Sequence, residues 1–229
     1  MSDILDADPL ADPAIRVLII DDHAALSGAL AIAIDASEGL HCIGTASSLD
    51  AGLPLVAQLA PDVLLLDVLL PDGDGIEAIP RFLQASSNTR VLVLTGRTDV
   101  DVLSRAAARG ASGFLPKESP VGAILGAIRA AVAGQLLVDG ATLAAILGRL
   151  AAASRRPADD SVDVPSLTRR EADVLGLMGG GHDPHAIARL LGISIHTCRG
   201  YQKSLMAKLG AHSQLEAVVI GTRLGLITR

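Results

Sequence analysis

The stretch IRVLIIDDHAALSG, residues 15–28, changes character abruptly in its middle. Strand-forming aliphatics from Val17 to Ile20 stop at two adjacent acids, Asp21 and Asp22, and a segment of helical period opens near Ala24. A single acid in such a strand-to-helix turn would read as a helix cap. Two side by side repel each other, so something beyond the strand end must need them.

The same alternation recurs to about residue 133: Cys42–Thr45, Val63–Leu66, Val91–Leu94 and Gly113–Leu115 read as further strands, with helices beginning near Leu49, Gly75, Asp99 and Pro120. That is the pattern of a mostly parallel, doubly wound α/β sheet. An Ala/Leu-rich helix over 141–153 leads to a linker with mixed charge and two prolines, SRRPADDSVDVPS. An all-α tail of four helices follows. Its first helix opens on Thr168-Arg-Arg-Glu171, a capping-box sequence, and the others start near Asp183, Ser194 and Ser213. The expected division is a disordered leader over 1–14, an α/β domain over 15–134, a connecting helix and linker over 135–165, and a helical domain over 166–229.

In an open parallel sheet the ligand site lies beyond the carboxyl ends of the strands. Those ends carry Asp21 and Asp22, then Asp67, then Thr95, then Lys117. Three converging carboxylates call for a hard divalent cation, and oxygen ligands with no His or Cys nearby favour Mg²⁺. Acids, a lysine and a hydroxyl together suit transfer of a phosphoryl group to a carboxylate, the metal and lysine neutralising charge on the phosphoryl oxygens.

These residues, with LLLDVLLPDGDG, VLVLTG and GASGFLPK, closely resemble the receiver domain of bacterial response regulators. The resemblance implies a five-stranded sheet of order 2-1-3-4-5. It makes Asp67 the acceptor of phosphate from a histidine kinase, and gives the metal to Asp21, Asp22, Asp67 and the backbone carbonyl of Leu69. By the same match Thr95 and Lys117 bind the phosphoryl oxygens, and Phe114 is the aromatic whose rotamer follows Thr95.

The net charge is −6, yet from Ser166 onward eight basic residues face four acids, so the tail is basic. In SIHTCRGYQKSLMAKLG, Ser194 is placed to cap a helix and Cys198, Tyr201, Leu205 and Leu209 form an inward stripe. The outward face then holds Arg199 and Lys203, with His196 and Gly200 beside them and Thr197 and Ser194 at the helix start. A short turn joins this helix to PHAIARLL, as in a helix-turn-helix whose second member enters the major groove. Gly200 costs such a helix about 1 kcal/mol relative to alanine, which makes sense where backbone approaches DNA closely. The segment LTRREADVLGLMGGGHDPHAIARLLGISIHTCRGYQKSLMAKLGAHSQLEAVVIGTRLGLI is similar to the LuxR-type DNA-binding domain throughout. Receiver plus this module makes the NarL/FixJ class. Cys198 stands for the usual valine, Tyr201 for a frequent histidine, and Asp183-Pro184-His185-Ala186 for a polar run with a glutamate.

The resemblance implies a two-component response regulator and transcription factor. Its expected partners are a histidine kinase, double-stranded promoter DNA and a second copy of itself when active, with RNA polymerase as a further candidate. A phosphorylation-independent regulator or anti-activator on the same fold is the alternative. Near absence of aromatics argues against single strands, which are held by base stacking. A Mg²⁺-dependent phosphatase would need a general acid two residues after Asp67, where Leu69 stands, so an enzyme is not expected. His182, His185, His196 and His212 lack the spacing of a structural zinc site. Cys42 and Cys198 read as two buried small hydrophobes, and the acidic N-terminus and lack of a long apolar span point to a cytoplasmic protein without a membrane segment.

Overall fold

The structure, a computed structural model, describes residues 14–96, 99–154 and 165–227. The expected leader, all but Ala14, and most of the linker lie outside the described residues. The first domain comprises β1 (Ile15–Ile20), α1 (Ala24–Asp35), β2 (Leu40–Ala46), α2 (Leu49–Leu59), β3 (Val63–Asp67), a two-stranded antiparallel hairpin of β4 (Leu69–Leu70) and β5 (Gly73–Asp74), α3 (Gly75–Ala85), β6 (Arg90–Thr95), α4 (Val100–Ala108), β7 (Gly113–Pro116) and α5 (Val121–Val132). The five long strands are parallel in the order β2-β1-β3-β6-β7. Counted without the hairpin, this is the expected 2-1-3-4-5.

Alternation along each central strand feeds two cores. Leu18, Ile20, Leu64, Leu66, Val91 and Val93 pack under α2, α3 and the inner face of α4. Val17, Ile19, Val63, Leu65, Leu92 and Leu94 pack under α1 and α5. With both faces covered, these strands can be aliphatic throughout, and the charged and hydroxyl side chains are confined to their ends.

The helix α6 (Gly140–Ser154) joins this domain to α7 (Arg169–Gly179), α8 (Pro184–Leu191), α9 (Ile195–Leu209) and α10 (Gln214–Arg223). Thr168 and Glu171 form the expected capping box on α7, and Asp183, Ser194 and Ser213 cap the remaining three helices through their side chains. Gly192, at φ +65°, turns the chain between α8 and α9. The tail does not stand apart. Leu103 and Ala107 on the outer face of α4, Leu143, Ile146, Leu147 and Leu150 of α6, and Leu215, Val218 and Val219 of α10 bury one another in a third core. Among the described residues no helix is long and apolar enough to cross a membrane.

Candidate functional site: an acidic pocket and an exposed helix

The acidic pocket is built by three strand ends. Asp21 follows β1 and is held by its neighbours: its carboxylate Oδ1 accepts from the His23 backbone N–H at 2.8 Å, and its carbonyl accepts from Ser27 Oγ at 3.2 Å. Asp67 is the last residue of β3, and its Oδ1 accepts from the Leu69 N–H at 3.3 Å. Both carboxylates are buried, each residue 2 % exposed, whereas Asp22 faces solvent. Neither Asp22 nor Asp67 caps a helix: His23 occupies the cap position of α1, and Asp74 caps α3.

Lys117, just past β7, reaches over this pair. Its Nζ donates to Asp67 Oδ2 at 2.7 Å and stands 2.9 Å from Asp21 Oδ2. Burial of the ammonium works against its charge, but the Asp67 hydrogen bond and then Asp21 outweigh it, so the Lys117 pKa is raised. The Lys117 N–H also donates to the Thr95 carbonyl at 3.0 Å, which ties the lysine's loop to the end of β6. Thr95 is buried, and Phe114, half-buried on β7, pairs with Val93 and packs between the sheet core and the third core. Leu69 is mostly exposed on β4. The acid, hydroxyl and lysine positions picked out in the sequence therefore all sit at one edge of the sheet.

One expectation is corrected. The acids are not free of histidine: His23 Nδ1 is 2.8 Å from Asp22 Oδ1 and 3.0 Å from Asp21 Oδ1. The reason is local. His23 makes no side-chain cap to α1, and its ring turns back over the carboxylates that precede it. Asp21, Asp22, His23 and Asp67 each offer a ligand atom within 4.8 Å of the others, a set that fits a divalent cation.

Gly75 makes the pocket possible, and sequence reading gave it no role there. A Cβ on Gly75 would stand 2.0 Å from the Asp67 carbonyl oxygen, so α3 can start against the end of β3 only without a side chain.

In the tail, Cys198, Gln202, Leu205 and Leu209 of α9 are buried and Tyr201 is half-buried, while Ser194, His196, Thr197, Arg199, Gly200 and Lys203 are all exposed on its other side. Gln202 is the one inward residue the apolar stripe did not predict. Glu171 pins α9 to α7. Its Oε1 accepts from Ser204 Oγ at 2.6 Å and its Oε2 from Lys208 Nζ at 2.7 Å and from the Thr168 N–H at 2.7 Å. Burial raises the Glu171 pKa, but the lysine, serine and threonine donors prevail and hold it at about 2.

The domains meet at the start of α10. Ser213 Oγ accepts from the Glu216 N–H and donates to the Ala111 carbonyl at 2.8 Å, and the Gln214 amide donates to the Gly134 carbonyl. Arg149 of α6 pairs with Asp101 of α4 at 2.5 Å.

The comparisons agree with this geometry. The family described as response regulator receiver domain matches residues 17–129, and that described as bacterial regulatory proteins, luxR family, matches residues 165–220. The chain is 32 % identical over 213 residues to the transcriptional regulatory protein LiaR of Bacillus subtilis, covering 93 % of this chain and 99 % of that one. It is 32 % identical over 203 residues to the nitrate/nitrite response regulator protein NarL of Escherichia coli K12, covering 89 % and 93 %. The crystal structure of a two-component response regulator, LuxR family, from Aurantimonas sp. SI85-9A1 superposes with a TM-score of 0.54 at 25 % identity, over 59 % of this chain and 97 % of that one. With a receiver at its head, a LuxR-type helix-turn-helix at its tail and relatives matched over nearly their full length, the chain belongs to the NarL/FixJ class of two-component response regulators, which are transcriptional regulators.

Proposed function

We propose that Asp67 is the phosphoacceptor of this regulator and that Mg²⁺ is held by Asp21, Asp22, Asp67 and the Leu69 carbonyl. The Lys117 bridge to both buried acids carries the reading. A carboxylate oxygen of Asp67 attacks the phosphorus of a phosphohistidine on a histidine kinase. The phosphorus–nitrogen bond breaks, its electrons stay with the imidazole, and an aspartyl phosphate forms. Bound Mg²⁺ supplies charge neutralisation. Lys117 then passes from pairing with Asp67 to pairing with a phosphoryl oxygen, Thr95 receives another, and Phe114 follows Thr95.

The switch acts through α4. This helix follows Thr95 by a few residues, and its outer face is locked to α6 and α10. A shift from mostly off to mostly on requires about 5 kcal/mol of preference between states, which the phosphoryl cluster and a dimer interface would share. The exposed face of α9 supports DNA reading without prior unmasking of that helix, with Arg199 suited to guanine, Lys203 to a base or phosphate, and Ser194, His196, Thr197 and Gly200 close to the backbone. The domain boundaries we assign are 15–134 for the receiver, 135–165 for the connection and 166–229 for the DNA-binding domain. A homodimer on near-palindromic promoter DNA follows from two-fold symmetry, with RNA polymerase as the next partner such a regulator meets.

Intact mass after incubation with acetyl phosphate and Mg²⁺ tests this. One phosphoryl group is expected on the wild type and none on Asp67→Asn, with promoter affinity rising only in the former. Labelling retained by Asp67→Asn would move the acceptor elsewhere. An unlabelled wild type with unchanged DNA affinity would make this a phosphorylation-independent regulator.

A further inference from the structure

We propose that the acidic leader, residues 1–13, docks on the basic face of α9 and competes there with the phosphates of DNA. The inference rests on the reading of α9 as the DNA-reading helix.

Three observations carry it. First, the charges match. The leader holds Asp3, Asp6, Asp8 and Asp12 and no lysine or arginine, while α9 holds Arg199, Lys203 and Lys208 and no acid. Second, two of those cations lack partners among the described residues. Lys208 is held by Glu171, but no described carboxylate pairs with Arg199 or Lys203, and both are exposed. Third, the leader joins the fold within reach of them. The strands are parallel, so Ile15 opens β1 at the edge where Arg90 opens β6, and the register places Val17 two strand spacings, about 10 Å, from Arg90. Arg90 in turn lines a cavity of about 40 Å³ together with Met206 of α9. From Met206, Lys203 and Arg199 lie about 5 and 10 Å back along the helix, so the whole path from Ile15 to Arg199 is about 30 Å. An extended chain covers about 3.4 Å per residue. Asp8, Asp6 and Asp3 therefore reach about 24, 31 and 41 Å from Ile15, and Asp12 only about 10 Å.

Tethering makes the pairing count. Exposed ion pairs are individually weak, but a segment tied this closely to its target acts at an effective concentration on the order of 1 mM. The same cations attract DNA without regard to sequence. The leader therefore lowers affinity for every duplex by a common factor, and DNA displaces it directly, so no separate step has to free α9. Non-specific residence falls while the ratio between cognate and random sites is kept.

The experiment uses the full chain as wild type, as a triple variant carrying Asp3→Asn, Asp6→Asn and Asp8→Asn, and as Asp12→Asn. Fluorescence anisotropy measures affinity for a random duplex at low and at high salt. Zero-length carbodiimide cross-linking, mapped by mass spectrometry, finds leader carboxylates joined to a lysine, of which the chain has Lys117, Lys203 and Lys208. A mixture of isotopically light and heavy protein shows whether the joined residues belong to one copy. The triple variant is expected to bind random DNA about two- to fivefold more tightly at low salt, with the gain gone at high salt. Asp12→Asn is expected to match the wild type, and Lys203 to be joined to Asp3, Asp6 or Asp8 of its own chain. Unchanged affinity of the triple variant, an equal gain from Asp12→Asn, no link at Lys203, or links only between copies would overturn the proposal. Cross-linking needs no DNA, so failure of the leader to dock is distinguishable from failure of α9 to bind DNA.

Discussion

Gly75 and Glu171 are single residues with outsized reach. Gly75 lets the first turn of α3 lie on the Asp67 carbonyl, so Gly75→Ala has to displace the backbone that carries the Asp67 carboxylate. We expect it to cost about 1–3 kcal/mol in denaturant unfolding, as overpacking does, and to slow labelling by acetyl phosphate. Gly75→Ala with wild-type labelling would show that the pocket tolerates the shift. Glu171 is the opposite case, a charge the fold holds ionised. Its pKa is near 2 in the fold against 4.5 ordinarily, so its stabilising effect is fully present above pH 4.5 and is lost as pH falls toward 2. Thermal melts across that window are expected to fall more steeply for the wild type than for Glu171→Gln. Parallel curves would place the acid sensitivity elsewhere.

At the level of elements, α9 offers a test in which stability and binding move in opposite directions. A Cβ on Gly200 would touch nothing within 4 Å, so no packing inside the chain requires glycine there. Gly200→Ala is expected to stabilise the helix by about 1 kcal/mol and still weaken promoter binding, while Arg199→Ala costs about 1–3 kcal/mol on the cognate duplex and relaxes one base position. Gel-shift titration alongside thermal melting separates the two, and unimpaired binding by the more stable Gly200→Ala would remove the close-approach reading. Elements like α9 were legible in the sequence because each announces itself locally. The cap residues Thr168, Asp183, Ser194 and Ser213 all cap, and the five long strands enclose the aliphatic runs. The hairpin β4–β5 was not legible, because two-residue strands show no period. His23 is hidden in the sequence because the neighbouring acids by themselves make an oxygen-ligand set. The signal that could have found it is the missing cap: no acid stands in the first turn of α1. The partners of α6 stayed hidden for a different reason. A helix so rich in alanine and leucine presents apolar surface on more than one side, and periodicity alone does not say what lies against each.

For the whole molecule, α4 is the shared wall. Val102 and Ala106 belong to the sheet core, while Leu103 and Ala107 belong to the core with α6 and α10. Toward α3, Arg105 reaches Asp74 at 2.6 Å and Arg109 reaches Glu77 at 2.5 Å; toward α6, Asp101 holds Arg149. Surface pairs of this kind are each worth little, so the apolar contacts and the Ser213 bond to Ala111 carry the coupling. Leu103→Ser is expected to loosen the tail from the receiver and to raise promoter affinity of the unphosphorylated protein several-fold, with Asp67→Asn in the same background no longer holding binding down. Fluorescence anisotropy on promoter DNA checks this, and a Leu103→Ser protein still dependent on phosphate would show that the wall is not where control is exerted.

The bond from Ser213 to Ala111 also bears on how freely such halves can be exchanged. A hydroxyl that both starts α10 and grips a backbone carbonyl of the neighbouring domain serves two masters, so a chimera that swaps in a foreign receiver with a differently shaped turn after its fourth major helix would keep the cap of α10 but leave its hydroxyl hydrogen without that carbonyl and the seam unmatched. Engineers who wish to rewire the input of this regulator should exchange the receiver whole and keep the turn at Gly110–Ala111 in the incoming domain.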